Sequence, residues 1–262
     1  MRNPRQPFHR TPDLPFSGTN VCSPCSPNSV AALWPDPNLL RSSIVRTIWI
    51  ARHGSRIDFV DPDWHAAATH PYDPPLCPEG GEQARQLGER LQKESIAHIF
   101  ASPFLRTVET AHAVASTLDL PVKLEPGFSE WLNPDWFPRD PRRVPLADLR
   151  RRFPRIDPSY TPRGEASYPE TGDRAEKRSG DTLVRLSAEF EGNLLVVGHG
   201  VSVFGATAGL LDVPPGEPRS NLLPPITYCS LVKLTQNRNG WSLELACDTS
   251  HLTVTGGGDR FH

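Results

Sequence analysis

This sequence predicts an α/β sheet domain, and three observations predict it. From Val45 onward, apolar runs of four to seven residues alternate with stretches whose apolar residues recur every three or four positions. Two of those runs end in a histidine set among turn residues, Arg52-His53-Gly54 and Gly198-His199-Gly200, and strand ends of this kind carry ligands in open α/β sheets. Finally, 262 residues at 37% hydrophobic and 22% charged describe an ordinary globular chain with room for one large domain or two small ones.

The elements follow in order. Val45 to Ala51 reads as the first strand. A helix is expected from about Pro78 through Leu91, because Ala84, Leu87 and Leu91 fall on one face. A second strand, Ile96 to Ala101, leads into a helix from about Leu105 to Leu118 that presents Val108, Ala111, Ala115 and Leu118 together. Val122 to Glu125 is a short third strand. Residues 131–178 break the alternation with closely spaced prolines and an arginine group (Arg139, Arg142, Arg143, Arg150, Arg151, Arg152), which reads as a long excursion holding one helix, Leu146 to Phe153. A helix at about Asp181 to Glu191, the strand Leu194 to Val197 and a helix from about Val201 to Leu211 resume the pattern. Tyr228 to Leu234 and Trp241 to Ala246 then form a hairpin around Gln236-Asn237-Arg238-Asn239-Gly240.

Composition bounds the function. Lys and Arg number 28 against 30 Asp and Glu, a net charge of −2 that argues against nucleic-acid or acidic-membrane binding by the whole molecule. No apolar run reaches the roughly 18 to 20 residues of a membrane span. Five cysteines without a paired ligand spacing argue against a disulfide scaffold and for a reducing compartment; the Cys22-Ser-Pro-Cys25 pair alone is a weak metal signal. Eight of the 29 prolines lie in residues 1–45, so residues 1–44 are expected to be a disordered tail, with a flexible C-terminal tail over 251–262 and one domain over 45–250. Arg2, Arg5 and Arg10 weakly resemble a transit peptide, but prolines forbid its amphipathic helix. The expected compartment is the cytoplasm, organelle targeting by the tail being the alternative.

Chemistry concentrates at three strand ends. Arg52, His53 and Arg56 follow the first, and guanidinium forks match phosphate oxygens. His199 follows another. In Ser102-Pro103-Phe104-Leu105-Arg106-Thr107, Arg106 stands in the first turn of a helix, where the helix dipole also favours anions. His65 and His70 lack the helical spacing of a metal pair and read as loop residues or substrate contacts. The arginine group over 139–152 reads as a solvated face, or as a lid attracting anions.

Taken in order, Arg52-His53-Gly54, the run Leu76 to Ala84, the run Ser102 to Ala111 and Val197-Gly198-His199-Gly200 resemble the histidine phosphatase (phosphoglycerate mutase-like) superfamily, branch 1. The likeness extends over roughly Val45 to Ala246. It implies a three-layer α/β/α sandwich with a mostly parallel central sheet, and a phosphatase that hydrolyses phosphate monoesters without metal or cofactor. It also implies His53 as the nucleophile that carries a phosphoryl group, and Arg52, Arg106 and His199 as phosphate contacts. Arg56 matches a further phosphate-binding arginine found in some phosphatase members. The general acid lies after the third strand, where Glu130 fits best; Trp131 beside it is expected to desolvate it and raise its pKa. Glu125 is the competitor, with a structural role as its simpler reading.

Ser55-Arg56-Ile57-Asp58 departs from the phosphoglycerate mutases at that place. The Arg-His-Gly-x-Arg form is more similar to the ecdysteroid-phosphate phosphatases and the suppressor of T-cell signalling proteins. A phosphomutase is the alternative enzyme, and a silent binding module with a proline-rich docking tail the alternative outside catalysis. The expected partner is a small phosphorylated substrate or a phosphopeptide.

Overall fold

The computed structural model describes residues 46–214 and 218–253. The tail expected over 1–44 lies outside them, as does most of that expected over 251–262. Thr253 is held in place, its N–H donating to Gln86 Oε1 at 2.9 Å.

Among the described residues the sheet has six strands in the order β3-β2-β4-β1-β5-β6. These are β1 (Arg46–Arg52), β2 (Ile96–Ala101), β3 (Val122–Leu124), β4 (Asn193–Gly198), β5 (Leu231–Asn237) and β6 (Gly240–Asp248). The first four in spatial order run parallel, and β5 and β6 join antiparallel. β1 lies between β4 and β5 and is buried from Thr47 to Ala51, which is why its sequence is an unbroken apolar run rather than an alternating one.

Successive residues of these strands point to opposite faces, and helices cover both. On one face, α2 (Pro78–Leu91) and α3 (Leu105–Leu118) bring Leu87, Leu91, Val108 and Val114 against Trp49, Ile99 and Leu195. On the other, α5 (Gly172–Glu189) and α6 (Gly200–Leu210) bring Leu183, Leu186, Val203 and Ala206 against Ile48, Ile50, Phe100 and Val196. The sandwich is therefore three layers deep. Among the described residues, three short helices lie outside it: α1 (Trp64–Ala67), α4 (Leu146–Arg152) and α7 (Arg219–Leu222). No helix among the described residues is long and apolar enough to cross a membrane.

Two expectations are corrected. The helix expected from Asp181 begins at Gly172, so the irregular excursion ends at Thr171, whose side chain caps the helix by accepting from Arg174 N. Its first turns bury Ala175, Ser179 and Gly180, small or polar residues that give no apolar periodicity to read. The first hairpin strand lies three residues later than expected and the second is longer at both ends, so that only Arg238 and Asn239 remain between them. Gln236 and Asn237 looked like loop by composition, yet Gln236 pairs with Arg46 of β1.

Register fixes the site. Arg52 pairs with Gly198 and Ala101 with Val197, so the chain leaves β1, β4 and β2 side by side at one edge. The turn after β1 also packs backbone to backbone on α2: a Cβ on Gly80 would lie 2.1 Å from Ser55 O, whereas one on Gly81 would meet nothing within 4 Å. Gly80→Ala is expected to destabilise the domain by about 1–3 kcal/mol, and Gly81→Ala to be neutral or mildly stabilising, since alanine is the better helix former. Urea midpoints measured side by side check this pair.

Candidate active site

His53 follows β1 directly. Its Nδ1 lies 2.7 Å from Gly54 O, and a carbonyl can only accept, so Nδ1 carries the proton and Nε2 keeps the lone pair. The backbone is pinned on both sides, His53 N donating to Gly198 O and Cys229 N to His53 O. Burial, then the charges of Arg106 and Arg52, hold the imidazole well below its ordinary pKa, so it is neutral near pH 7.

His199 follows β4 and is fully buried, its ring centroid 5.3 Å from that of His53. Ser102, at the end of neighbouring β2, places Oγ 2.8 Å from His199 Nε2. That hydroxyl also accepts from Phe104 N, and because the carboxylate facing Nδ1 can only accept, the His199 proton lies on Nδ1 and Nε2 accepts from Ser102. His199 Nδ1 faces Glu130 Oε2 at 3.3 Å. Burial pushes His199 down to about 4, with Glu130 pulling the other way.

Arg106 enters from the first turn of α3 and is 1% exposed. Its Nε lies 3.3 Å from His53 Nε2, and its Nη2 lies 3.1 Å from Glu130 Oε2 and 3.2 Å from His199 Nδ1. Burial and Arg56 bring its pKa down to about 10, against the pull of Glu130, so it remains a cation. Its Nη1 is buried without a partner among the described residues, a donor that an anion would satisfy. Arg52 donates from Nη1 to Ile226 O at 2.7 Å and stacks on Tyr228. Arg56 grips Asp58 with two bonds, 2.9 and 2.5 Å, and lies over Phe59.

Glu130 stands beyond β3 and a short 3-10 turn, Pro126–Phe128. The expectation of a raised pKa is corrected. Burial alone would raise it, but the charge and hydrogen bond of His199 and the charge of Arg106 outweigh burial and hold the carboxyl well below the usual range. The Trp131 indole donates to Glu170 O and its ring packs edge-on against Trp136. Glu125 lies outside the cluster. Its carboxylate is consumed by Gly127 N, Gly164 N, Arg163 N and the Tyr160 hydroxyl, which is the structural role that sequence reasoning favoured for it.

A pocket of about 910 Å³ opens above this floor, lined by Arg52, Arg56, Arg106 and Glu130 and walled by residues such as Trp131 and Phe204. His65 lines it too, 4.0 Å from Asp58, whereas none of the arginines over 139–152 does. His53, Glu130 and His199 offer donor atoms within 4.8 Å of one another, a spacing that could suit a metal ion. The Arg106 guanidinium already lies among those donors, and its positive charge opposes a second cation there. Sequence reasoning thus named the six residues that meet here and assigned no role to Ser102 or Tyr228, whose contacts are tertiary, or to Asp58, whose contact with Arg56 is local. Of these, Ser102 carried a signal, standing at a strand end inside a run already singled out.

The family model for the histidine phosphatase superfamily (branch 1) matches residues 48–249. The chain belongs to that superfamily. It is 26% identical over 241 residues to the ecdysteroid-phosphate phosphatase of Drosophila melanogaster, covering 76% of this chain and 31% of the relative. It is 28% identical over 214 residues to the probable phosphoglycerate mutase GpmB of an Enterobacter strain, covering 78% and 94% respectively. Among solved structures, the ecdysone phosphate phosphatase of Bombyx mori in complex with tungstate superposes with a TM-score of 0.66 at 26% identity, over 82% of this chain and 98% of that one. The chain spans about a third of the length of the first curated relatives it matches.

Proposed function

We propose that this histidine phosphatase domain is a metal-independent phosphomonoesterase that works through a phosphohistidine on His53. The observation that carries the reading is the His53 ring, with Nδ1 anchored on Gly54 O and the Nε2 lone pair held against Arg106, which lines the pocket. In the first half-reaction Nε2 attacks phosphorus, the ester P–O bond breaks, and the leaving oxygen takes a proton from Glu130. In the second, water attacks the phosphohistidine, Glu130 accepts its proton, and inorganic phosphate leaves with His53 restored. Arg52, Arg56, Arg106 and His199 Nδ1–H hold the non-bridging oxygens.

Facing Arg106 and His199, Glu130 is ionised, and the substrate itself changes that. A bound phosphate dianion takes over Arg106 and His199 and adds like charge beside the carboxylate, and both effects raise its pKa toward a working acid. Tungstate is a tetrahedral oxyanion like phosphate, so its binding by the similar silkworm protein fits an oxyanion site at this floor. The largely apolar wall above it favours a phosphate ester of a bulky apolar alcohol, in keeping with relatives named for ecdysteroid phosphates.

The test is release of inorganic phosphate from a panel of phosphorylated metabolites and phosphopeptides. Excess EDTA is expected to leave that activity unchanged, because the stabilising charges are guanidinium groups. Loss with EDTA, restored by one particular divalent ion, would reject the metal-independent mechanism. Phosphoryl transfer to a bound acceptor faster than to water would identify a mutase instead.

A further inference from the structure

Glu130 owes its place to a buried ion pair that lies behind it, away from the pocket. Arg178, on α5, is 9% exposed and its partner Glu170 is 3% exposed; Arg178 Nη2 meets Glu170 Oε1 at 2.5 Å and Nε meets Oε2 at 3.2 Å. The rest of the guanidinium gathers the loop that carries the acid. Nη1 donates to Gly127 O at 2.8 Å, to Ser129 O at 3.2 Å and, more weakly, to Pro126 O at 3.4 Å. Nη2 reaches Ser129 O and the carbonyl of Glu130 itself, both at 3.3 Å. Glu170 completes the grip on the far side of the acid, its Oε1 accepting from Leu132 N, its N–H donating to Leu132 O, and its carbonyl accepting from the Trp131 indole.

Resting on the reading of Glu130 as the proton donor, we propose that Arg178 and Glu170 are positioning residues that set where that acid stands. The loop from Pro126 to Leu132 has little regular structure to hold it, only one 3-10 turn. A planar five-donor fork can bind four carbonyls and a carboxylate at once; an ammonium cannot. The segment on which Arg178 stands also buries Ser179, whose hydroxyl reaches Gly127 O, so α5 and the acid loop are joined at two successive residues. A misplacement of about 1 Å at a reacting group can lower a rate on the order of 10²-fold, and the loss should fall on the step that needs the acid.

The experiment compares an alkyl phosphate, whose leaving group needs a proton, with para-nitrophenyl phosphate, whose leaving group does not. Arg178→Lys and Glu170→Gln are each made in the wild-type and Glu130→Gln backgrounds. Both variants are expected to lose roughly 10- to 100-fold in the single-turnover phosphorylation rate on the alkyl ester and less than about threefold in that rate on para-nitrophenyl phosphate, and to add little once Glu130 is already glutamine. Equal losses on both substrates, or none, while Glu130→Gln keeps its selectivity, would overturn the positioning role alone and leave the ion pair as ordinary scaffold. Absence of selectivity in Glu130→Gln would overturn the acid assignment and the positioning role together. Glu170→Gln preserves the shape of the side chain and an oxygen to accept from Leu132 N, so it decides the matter if Arg178→Lys fails to fold, which the para-nitrophenyl phosphate rate reports.

Discussion

His53→Ala is expected to abolish phosphatase turnover, by on the order of 10⁴-fold or more, and to remove all covalent labelling by substrate phosphate. Loss of a nucleophile has effects of this size because the remaining site can bind the substrate without giving the phosphoryl group anywhere to go. The nearby imidazole does not offer a substitute. His199 has Nε2 tied to Ser102 and a proton on Nδ1, so no lone pair faces the pocket. The substitution leaves the turn intact, since the bonds from His53 N to Gly198 O and from Cys229 N to His53 O belong to the backbone. Quenched wild-type protein should therefore carry acid-labile, base-stable phosphate while the folded variant carries none. Wild-type levels of such phosphate on His53→Ala would reject the assignment. The same ring gives a pH dependence with a definite sign. Protonation removes the nucleophile, and burial with Arg106 and Arg52 nearby displaces that protonation to lower pH. The rate with para-nitrophenyl phosphate, read as kcat/KM, should accordingly hold as pH falls through 6.5, where an exposed histidine would be half protonated.

The legible part of this site is the part that local sequence must solve. A histidine that leaves a buried strand needs a sharp turn, and the glycines at 54, 198 and 200 announce one; two such turns on parallel strands in register meet in space. Arg106 was legible for a similar reason, as a cation at the start of a helix that follows a strand. What sequence could not show is the set of side chains that act through others. Asp58 is two residues from Arg56 and looks like any loop aspartate until both its oxygens are seen on the guanidinium. Arg178 and Glu170 are eight residues apart, in a stretch read as excursion, and their importance comes from carbonyls some fifty positions earlier in the chain. The state of Glu130 was misjudged for the same reason. An aromatic neighbour in sequence suggested a dry, raised carboxyl, while Arg106 and His199, remote in sequence and near in space, make it an anion.

Glu130→Gln is expected to lower the phosphorylation rate on alkyl and sugar phosphates by about 10²- to 10⁴-fold, the usual worth of general-acid assistance, and to spare phosphorylation by para-nitrophenyl phosphate, so that the two losses differ by at least tenfold on that step. The amide can still occupy the space and accept from Arg106, which keeps the site assembled, but it has no proton to give to an alkoxide. Nitrophenolate leaves without one. Glu125→Gln is the internal control, and the structure says what it should do. Its fully buried carboxylate takes four donors, from Gly127 N, Gly164 N, Arg163 N and the Tyr160 hydroxyl, and an amide would set an N–H against some of them. That replacement should reduce stability by about 1–3 kcal/mol, as seen in a urea midpoint, and slow both substrate types alike. Single-turnover rates for the two variants on the two substrates complete the comparison. Leaving-group dependence in Glu125→Gln and none in Glu130→Gln would transfer the proton donor to the earlier residue, against every contact the carboxylates make.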